Sequence, residues 1–308
     1  MKRLITGIAL SVAVFAVPAT AHASSTGLPG LGYSSSATYY LALGDSLSVG
    51  VQPSPAGVDT PGSEGYPNQL YGLIRFTNPD LRLEQLGCSG ETTTTMLDGG
   101  ICSYSGDQRT SFTGDVGNQA SAALAFIAAR KGHVPLITLD DGANDLNPCL
   151  AKGTISGIEA CLPAVLAAMA HNTATLLAEL RAADPGATII GMNYYDPELA
   201  EWLTGTAGQA FATDSVALSE AVNNTLAAVY KDYSVPVADV ASAFDTSDMT
   251  RQVTLPHLGT LPRDVAEVCE LTWECVAPPQ GPNEHCNVAG YRVIAFTFYG
   301  ELPWWFQF

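Results

Sequence analysis

Five short runs rich in β-forming residues, each ending near Gly, Asn or Asp, alternate along this chain with stretches of helical periodicity. The runs cover residues 38–43, 81–86, 134–139, 188–193 and 235–238. Between them Val116, Ala120, Ala123, Leu124 and Ile127 recur at helical spacing, as do Leu162, Val165, Leu166 and Met169, then Leu176, Leu177 and Leu180, and finally Val222, Leu226 and Val229. Strands separated by helices join one sheet through right-handed crossovers. The pattern therefore predicts an α/β protein: a mainly parallel five-stranded sheet covered on both faces, a three-layer α/β/α sandwich. Ala-rich helical faces such as residues 164–169 suit close packing against that sheet.

The first residues read as an address. Met1-Lys2-Arg3 is basic, residues 4–17 are apolar and Ala21-His22-Ala23 is a small-residue cleavage site, so residues 1–23 are expected to be a signal peptide of a secreted protein. Residues 24–308 are then expected to form one domain, since no linker and no repeat divides them. No other run approaches about 18 uninterrupted apolar residues, so no integral membrane span is expected. Thirty acids face 13 Lys and Arg, a formal net charge of −17, and loss of the leader removes only Lys2 and Arg3. Nucleic acid is excluded as a partner by that charge and by the lack of a basic stripe.

All seven Cys follow the leader, and export permits disulfides. Neighbours in sequence pair as Cys88 with Cys102, Cys149 with Cys161, and Cys269 with Cys275. Cys286 is left over, either free or exchanged into a bridge with Cys269 or Cys275. No Cys–His spacing suits zinc, and the sequence calls for no metal and no other cofactor.

The first β run ends in Gly44-Asp45-Ser46, which delivers a hydroxyl to the carboxyl edge of the sheet, where such folds place their chemistry. Ser46 is thus a candidate nucleophile. A helix starting there would be capped by the serine and would offer N–H groups to an anion beside it. Gly142-Ala143-Asn144-Asp145 follows the third run, and the Asn144 amide can donate to developing negative charge; an ordinary turn is the plainer reading. Gly87-Cys88-Ser89-Gly90-Glu91-Thr92 follows the second, where a glycine lets a backbone N–H approach a bound oxygen; a tight turn stapled by Cys88 would explain it equally well.

An activated serine needs a base. Of the histidines after the leader, His171 falls on a long helix and His133 at the wrong edge of a strand. His285 is preferred, with His257 the alternative, because its loop precedes a helical pattern from Gly290 to Phe296 and can hang over the sheet edge.

In this order and on these strand ends, the blocks resemble those of the SGNH hydrolases, the GDSL lipase/esterase family, in their secreted bacterial form. The match uses Gly44-Asp45-Ser46, Gly90, Gly142-x-Asn144-Asp145 and His285, and spans about residues 38–300. The resemblance implies a flavodoxin-like fold and a carboxylic-ester hydrolase acting on small-molecule or lipid esters. It assigns Ser46 as nucleophile, His285 as base, and an oxyanion hole made by the N–H groups of Ser46 and Gly90 with the Asn144 amide.

The chain departs from the family at the acid: Pro282 stands three residues before His285, where Asp is usual, with Asn283 and Glu284 between. A Ser46–His285 dyad is therefore expected, its ring oriented by a backbone carbonyl from the stiff loop 277–282, as in similar secreted bacterial members. Cys286 follows the histidine where the family usually has proline. Two alternatives stand beside the acyl-ester reading. One is a polysaccharide O-acetylesterase, with Tyr194, Tyr195, Trp202 and Trp304-Trp305-Phe306 stacking on sugars. The other is a non-catalytic binding domain on the same fold. Substrate choice is expected to rest with residues 104–114, 196–213 and 244–270.

Overall fold

The computed structural model describes residues 37–102, 104 and 117–307. The expected leader, residues 1–23, and most of the segment 104–114 lie outside the described residues.

The strands are β1 (Thr38–Gly44), β2 (Gln52–Pro53), β3 (Asp59–Thr60), β4 (Leu81–Gln85), β5 (Leu136–Asp140), β6 (Thr188–Met192), β7 (Val237–Ala238), β8 (Gln252–Leu255) and β9 (Gly259–Pro262). The helices are α1 (Tyr66–Ile74), α2 (Thr93–Asp98), α3 (Gln119–Ala129), α4 (Asn147–Leu150), α5 (Ile155–Ala183), α6 (Thr206–Asp232), α7 (Val240–Ala243), α8 (Arg263–Leu271), α9 (Val288–Gly300) and α10 (Trp304–Gln307). The five β runs read from the sequence are the five strands of one sheet, ordered β4-β1-β5-β6-β7. Every pairing in it is parallel. Two small antiparallel hairpins, β2–β3 and β8–β9, stand outside it.

Parallel strands lie under helices on both faces, so they carry apolar side chains on both. Tyr40, Leu41, Ala42 and Leu43 of β1 are fully buried, as are Leu136, Ile137 and Leu139 of β5. Helices α1 and α9 pack together on one face, where Tyr66 stacks on Phe298 at 4.7 Å. On the other, α5 packs against α3 and α6, and Tyr230 of α6 fills the space that a Cβ at Gly191 would need. This is the expected three-layer sandwich. The two helical stretches read around Leu166 and Leu177 run together as α5, through the exposed Pro163.

By length and composition α5 could cross a membrane. Its buried residues, Ile158, Leu162, Met169, Thr173, Leu176, Leu177 and Leu180, form one stripe, while Glu159, His171 and Glu179 are exposed. That is the pattern of a helix lying on a sheet.

The strand order places the switch of direction between β1 and β5. Ligands of open α/β sheets bind outside the carboxyl ends of strands at such a point. The Ser46 and Asn144 blocks both emerge there. Three disulfides, Cys88–Cys102, Cys149–Cys161 and Cys269–Cys275, brace the loops that follow, in the pairing expected from sequence. Cys286 is free and buried, which corrects the alternative of an exchanged bridge.

Candidate active site

The nucleophile turn is held from below. Gly44 has φ +139°, and a Cβ there would overlap Asp140 on the neighbouring strand, so only glycine fits. Buried Gln119 of α3 accepts the Gly44 N–H at 2.6 Å and donates to its carbonyl at 2.9 Å. Asp45 donates its N–H to the Asp140 carbonyl at 3.1 Å, and its Oδ1 accepts the Leu47 N–H at 2.9 Å. No helix starts at Ser46: residues 46–50 form turns closed by Val51 N–H to Ser46 O and Gly50 N–H to Leu47 O, and the next helix is α1. The expected helix N-terminus beside the serine is thereby corrected.

Beneath this turn lies a cluster of acids that sequence reading did not assign. Tyr66 donates to Asp140 Oδ1 at 2.6 Å. Burial, more than any neighbour, pushes Asp45 up to about 6. Asp140 and Asp141 rise well above the usual carboxylate range, again chiefly through burial. Buried this deeply and near one another, these carboxyls tend to hold their protons, because adjacent charges in a dry interior are costly.

The Asn144 block lies on a 3₁₀ turn, Ala143–Leu146, entered through Gly142 at φ +132°. Asn144 Nδ2 donates to the Glu91 carbonyl at 2.9 Å and reaches Asp45 Oδ2 at 3.5 Å. Asp145 accepts the Thr93 N–H at 2.8 Å and its hydroxyl at 2.6 Å, so it ties the first turn of α2. Gly90, at φ +82°, sits exposed in the loop after β4. Its neighbour Glu91 is the residue that meets Asn144, and Gln119 also donates to the Glu91 carboxyl at 3.0 Å.

His285 is 6% exposed. Its Nδ1 lies 2.8 Å from Asn283 Oδ1, which also accepts the His285 backbone N–H at 3.0 Å. Two N–H donors converging on one atom identify it as the amide oxygen, so Nδ1 carries the proton and Nε2 is left with a free lone pair. Asn283 Nδ2 donates in turn to Asp59 Oδ1 at 2.8 Å. The expected orienting group, a backbone carbonyl of loop 277–282, is thus replaced by the Asn283 side chain. Burial lowers the His285 pKa, opposed by the charges of Glu284 and Asp59.

Ser46, Asn144 and His285 line one cavity of about 320 Å³. Leu146, Leu150, Ile158, Leu162, Leu218 and Val222 form its apolar wall. Asp196, Glu198, Glu274 and Glu284 line it too, and among its described lining residues there is no Lys or Arg. Burial pushes Asp196 up to about 6 and Glu198 and Glu274 up to about 7. Of the segments expected to select substrate, 196–213 contributes Asp196, Pro197, Glu198 and Phe211, whereas residues 244–270 do not reach the cavity. They carry β8, β9 and α8 around a separate apolar cluster with Leu199. Helices α4, α5 and α6 supply most of the wall instead, which periodicity alone could not reveal.

The alternative base fails on position: His257 is exposed at the β8–β9 turn, and His133 and His171 are exposed as well. Of the aromatics expected to stack on sugars, Tyr194 and Tyr195 line the cavity, largely buried, with Tyr195 against Phe244 at 4.6 Å, whereas Trp202 packs into the second cluster. Trp304 and Trp305 are exposed on α10, whose Phe306 carbonyl is held by Asn78, at the amino end of β4 and away from Ser46. Cys286 is fully buried and its thiol is pushed up to about 12 by burial, so it is no reactive thiolate beside the base.

Residues 42–293 match the family model described as the GDSL-like lipase/acylhydrolase family. Among curated proteins no sequence match was found. The fold is similar to that of phospholipase A1 from Streptomyces albidoflavus NA297, with 17% identity, a TM-score of 0.55 and coverage of 86% of this chain and 100% of that one. The extracellular lipase of Streptomyces rimosus gives 16% identity, a TM-score of 0.55 and the same coverages. The lipase Lip_vut3 from a goat rumen metagenome gives 16%, 0.50, and coverage of 85% and 96%.

Proposed function

This chain belongs to the GDSL-like lipase/acylhydrolase family of carboxylic-ester hydrolases, and from that premise we propose that it is a secreted serine esterase of acyl esters. Ser46 Oγ attacks the ester carbonyl while His285 Nε2 takes its proton. The tetrahedral oxyanion is held by the N–H groups of Ser46 and Gly90 and by the Asn144 amide. Collapse expels the alcohol, which receives the proton from His285, and leaves an acyl-enzyme on Ser46. Water activated by the same histidine then releases the carboxylic acid.

The observation that carries this reading is the shared cavity: residues 46, 144 and 285, far apart in sequence, meet in one apolar-walled space of about 320 Å³. That volume is on the order of ten waters at about 30 Å³ each, far more than an acetyl group fills. It favours longer acyl chains over O-acetyl substrates. The row of acids favours neutral esters over anionic ones and speeds departure of the carboxylate product. Secretion is supported by the leader-like residues 1–23, with residues 24–308 as the mature domain, and by three disulfides.

Ser46→Ala tests the reading: hydrolysis of a chromogenic ester is abolished while thermal unfolding is unchanged. Activity that survives intact removes Ser46 as nucleophile. Labelling of Ser46 by a fluorophosphonate argues against a non-catalytic binding domain. A panel of esters from acetate to long acyl chains, run on the purified protein, peaks above acetate if the cavity receives the acyl chain.

A further inference from the structure

The acid missing before His285 is supplied from the other end of the chain. We propose that Asp59 is the carboxylate of this site, acting on His285 through the Asn283 amide as a positioning residue. The inference rests on the Ser46–His285 reading and extends it by one hydrogen bond and one charge.

Four observations carry it. The Asn283 amide is fixed by three contacts, two N–H groups on its oxygen and the Asp59 carboxylate on its nitrogen. A flipped amide would set donor against donor and oxygen against carboxylate. A carboxylate pulling on the amide N–H also enriches the oxygen at the far end, since linked hydrogen bonds polarise one another. The imidazole Nδ1–H is thereby held as it would be by a charged acceptor.

The second observation is distance: Asp59 Oδ2 lies 3.8 Å from His285 Nδ1, too far for a direct bond and close enough to compensate an imidazolium. The third is how Asp59 is placed. It begins β3, in the hairpin that starts at Gln52, six residues past Ser46. That hairpin is seated on the histidine loop, because a Cβ at Gly57 would overlap the Pro279 carbonyl. Tyr291 of α9 also donates to the Val51 carbonyl at 2.7 Å. The same short segment therefore carries the nucleophile at one end and the acid at the other.

The fourth is exposure. The Asp59 side chain is 43% exposed, so water screens its charge and the effect is about twofold to fivefold rather than that of a buried acid. Other charges also face His285: Glu284 beside it, Asp45 under Ser46, and Asp196, Glu198 and Glu274 across the cavity. All of them stay in place in Asp59→Asn, so the difference reads Asp59 alone.

The test is the His285 pKa, followed by NMR titration of the ring and by the acidic limb of kcat/KM. In Asp59→Asn the pKa falls and the limb moves to lower pH by about 0.3–0.7 units, kcat drops by about twofold to fivefold, and KM is unchanged. Asn283→Ala, which frees the ring, costs about 10²-fold in kcat. Asn283→Asp combined with Asp59→Asn sets one carboxylate directly on Nδ1, retains activity and raises the His285 pKa above the parent value. An Asp59→Asn protein whose His285 pKa and acidic limb do not move overturns the proposal, even if its thermal stability falls, since a purely structural tie would show that pattern. Failure of the esterase reading looks different: Ser46→Ala would keep its activity, whatever Asp59 does to the ring.

Discussion

Gln119 holds both backbone groups of Gly44, taking its N–H at 2.6 Å and giving an N–H to its carbonyl at 2.9 Å. A side-chain amide thus stands in for the edge of a neighbouring strand at the point where β1 must turn to present Ser46. Gln119→Ala leaves the buried Gly44 N–H without an acceptor and takes a donor from the Glu91 carboxyl. The expected cost is about 1–3 kcal/mol in denaturant unfolding, accompanied by a loss of kcat. A variant with parent stability and parent kcat would show that the amide does not set the turn.

If Asn144 supports the oxyanion as proposed, its removal separates that support from binding. Asn144→Ala is expected to lower kcat by about 10²–10³, equivalent to about 3–4 kcal/mol, with little change in KM. Steady-state kinetics on a soluble ester give both numbers. Fluorophosphonate labelling should slow in the same variant, because that reaction develops charge on an oxygen in the same place.

Glu198 and Glu274, pushed up to about 7 by burial, are neutral in mild acid and charged in mild base. The preference for a neutral ester over an anionic one of equal chain length should therefore grow between about pH 6 and pH 8, on the order of tenfold. His285 cancels from this ratio, since both substrates use the same base. In Glu198→Gln combined with Glu274→Gln the rise above about pH 7 should be lost, leaving only the smaller change near pH 6 from Asp45 and Asp196; a ratio that still climbs between about pH 7 and pH 8 would place the discriminating charge elsewhere.

Asp140 and Asp45 predict how stability depends on pH. Both carboxyls are raised in the folded protein, Asp45 to about 6 and Asp140 well above the usual carboxylate range, so the folded state holds protons that the unfolded chain, near 3.9, has released. Their contribution is fully present below the unfolded value and is lost as pH rises through the folded ones, at up to about 1.4 kcal/mol per pH unit for each proton. Asp140→Asn removes one of the two titrating carboxyls. Thermal unfolding between pH 5 and 8 should decline less steeply in that variant than in the parent, and an unchanged slope would show that Asp140 holds no extra proton in the folded state.

The central sheet was legible in the sequence because strand and helix patterns are local: residues 38–43 and 188–193 announce β1 and β6 without any partner. The disulfides were legible because each joins cysteines 6 to 14 residues apart. Ser46, Gly90, Asn144 and His285 were nominated by strand ends and an ordered set of blocks; the fold gathers Ser46, Asn144 and His285 around one cavity, while Gly90 is exposed and not among its lining residues. The apolar wall of the cavity was not legible, since Ile158 and Leu162 have the same spacing whether a helix faces the sheet or a ligand.

What the sequence by itself determined is the order of strands and helices, and with it the sheet edge at which Ser46 emerges. What only the tertiary structure decided is which polar groups meet there: Gln119 reaches Gly44 across 75 residues and Asn283 reaches Asp59 across 224. Hydrophobic periodicity is a property of a segment and can be read along it. A hydrogen bond between side chains needs two atoms brought within about 3 Å, and only the packed chain fixes that distance.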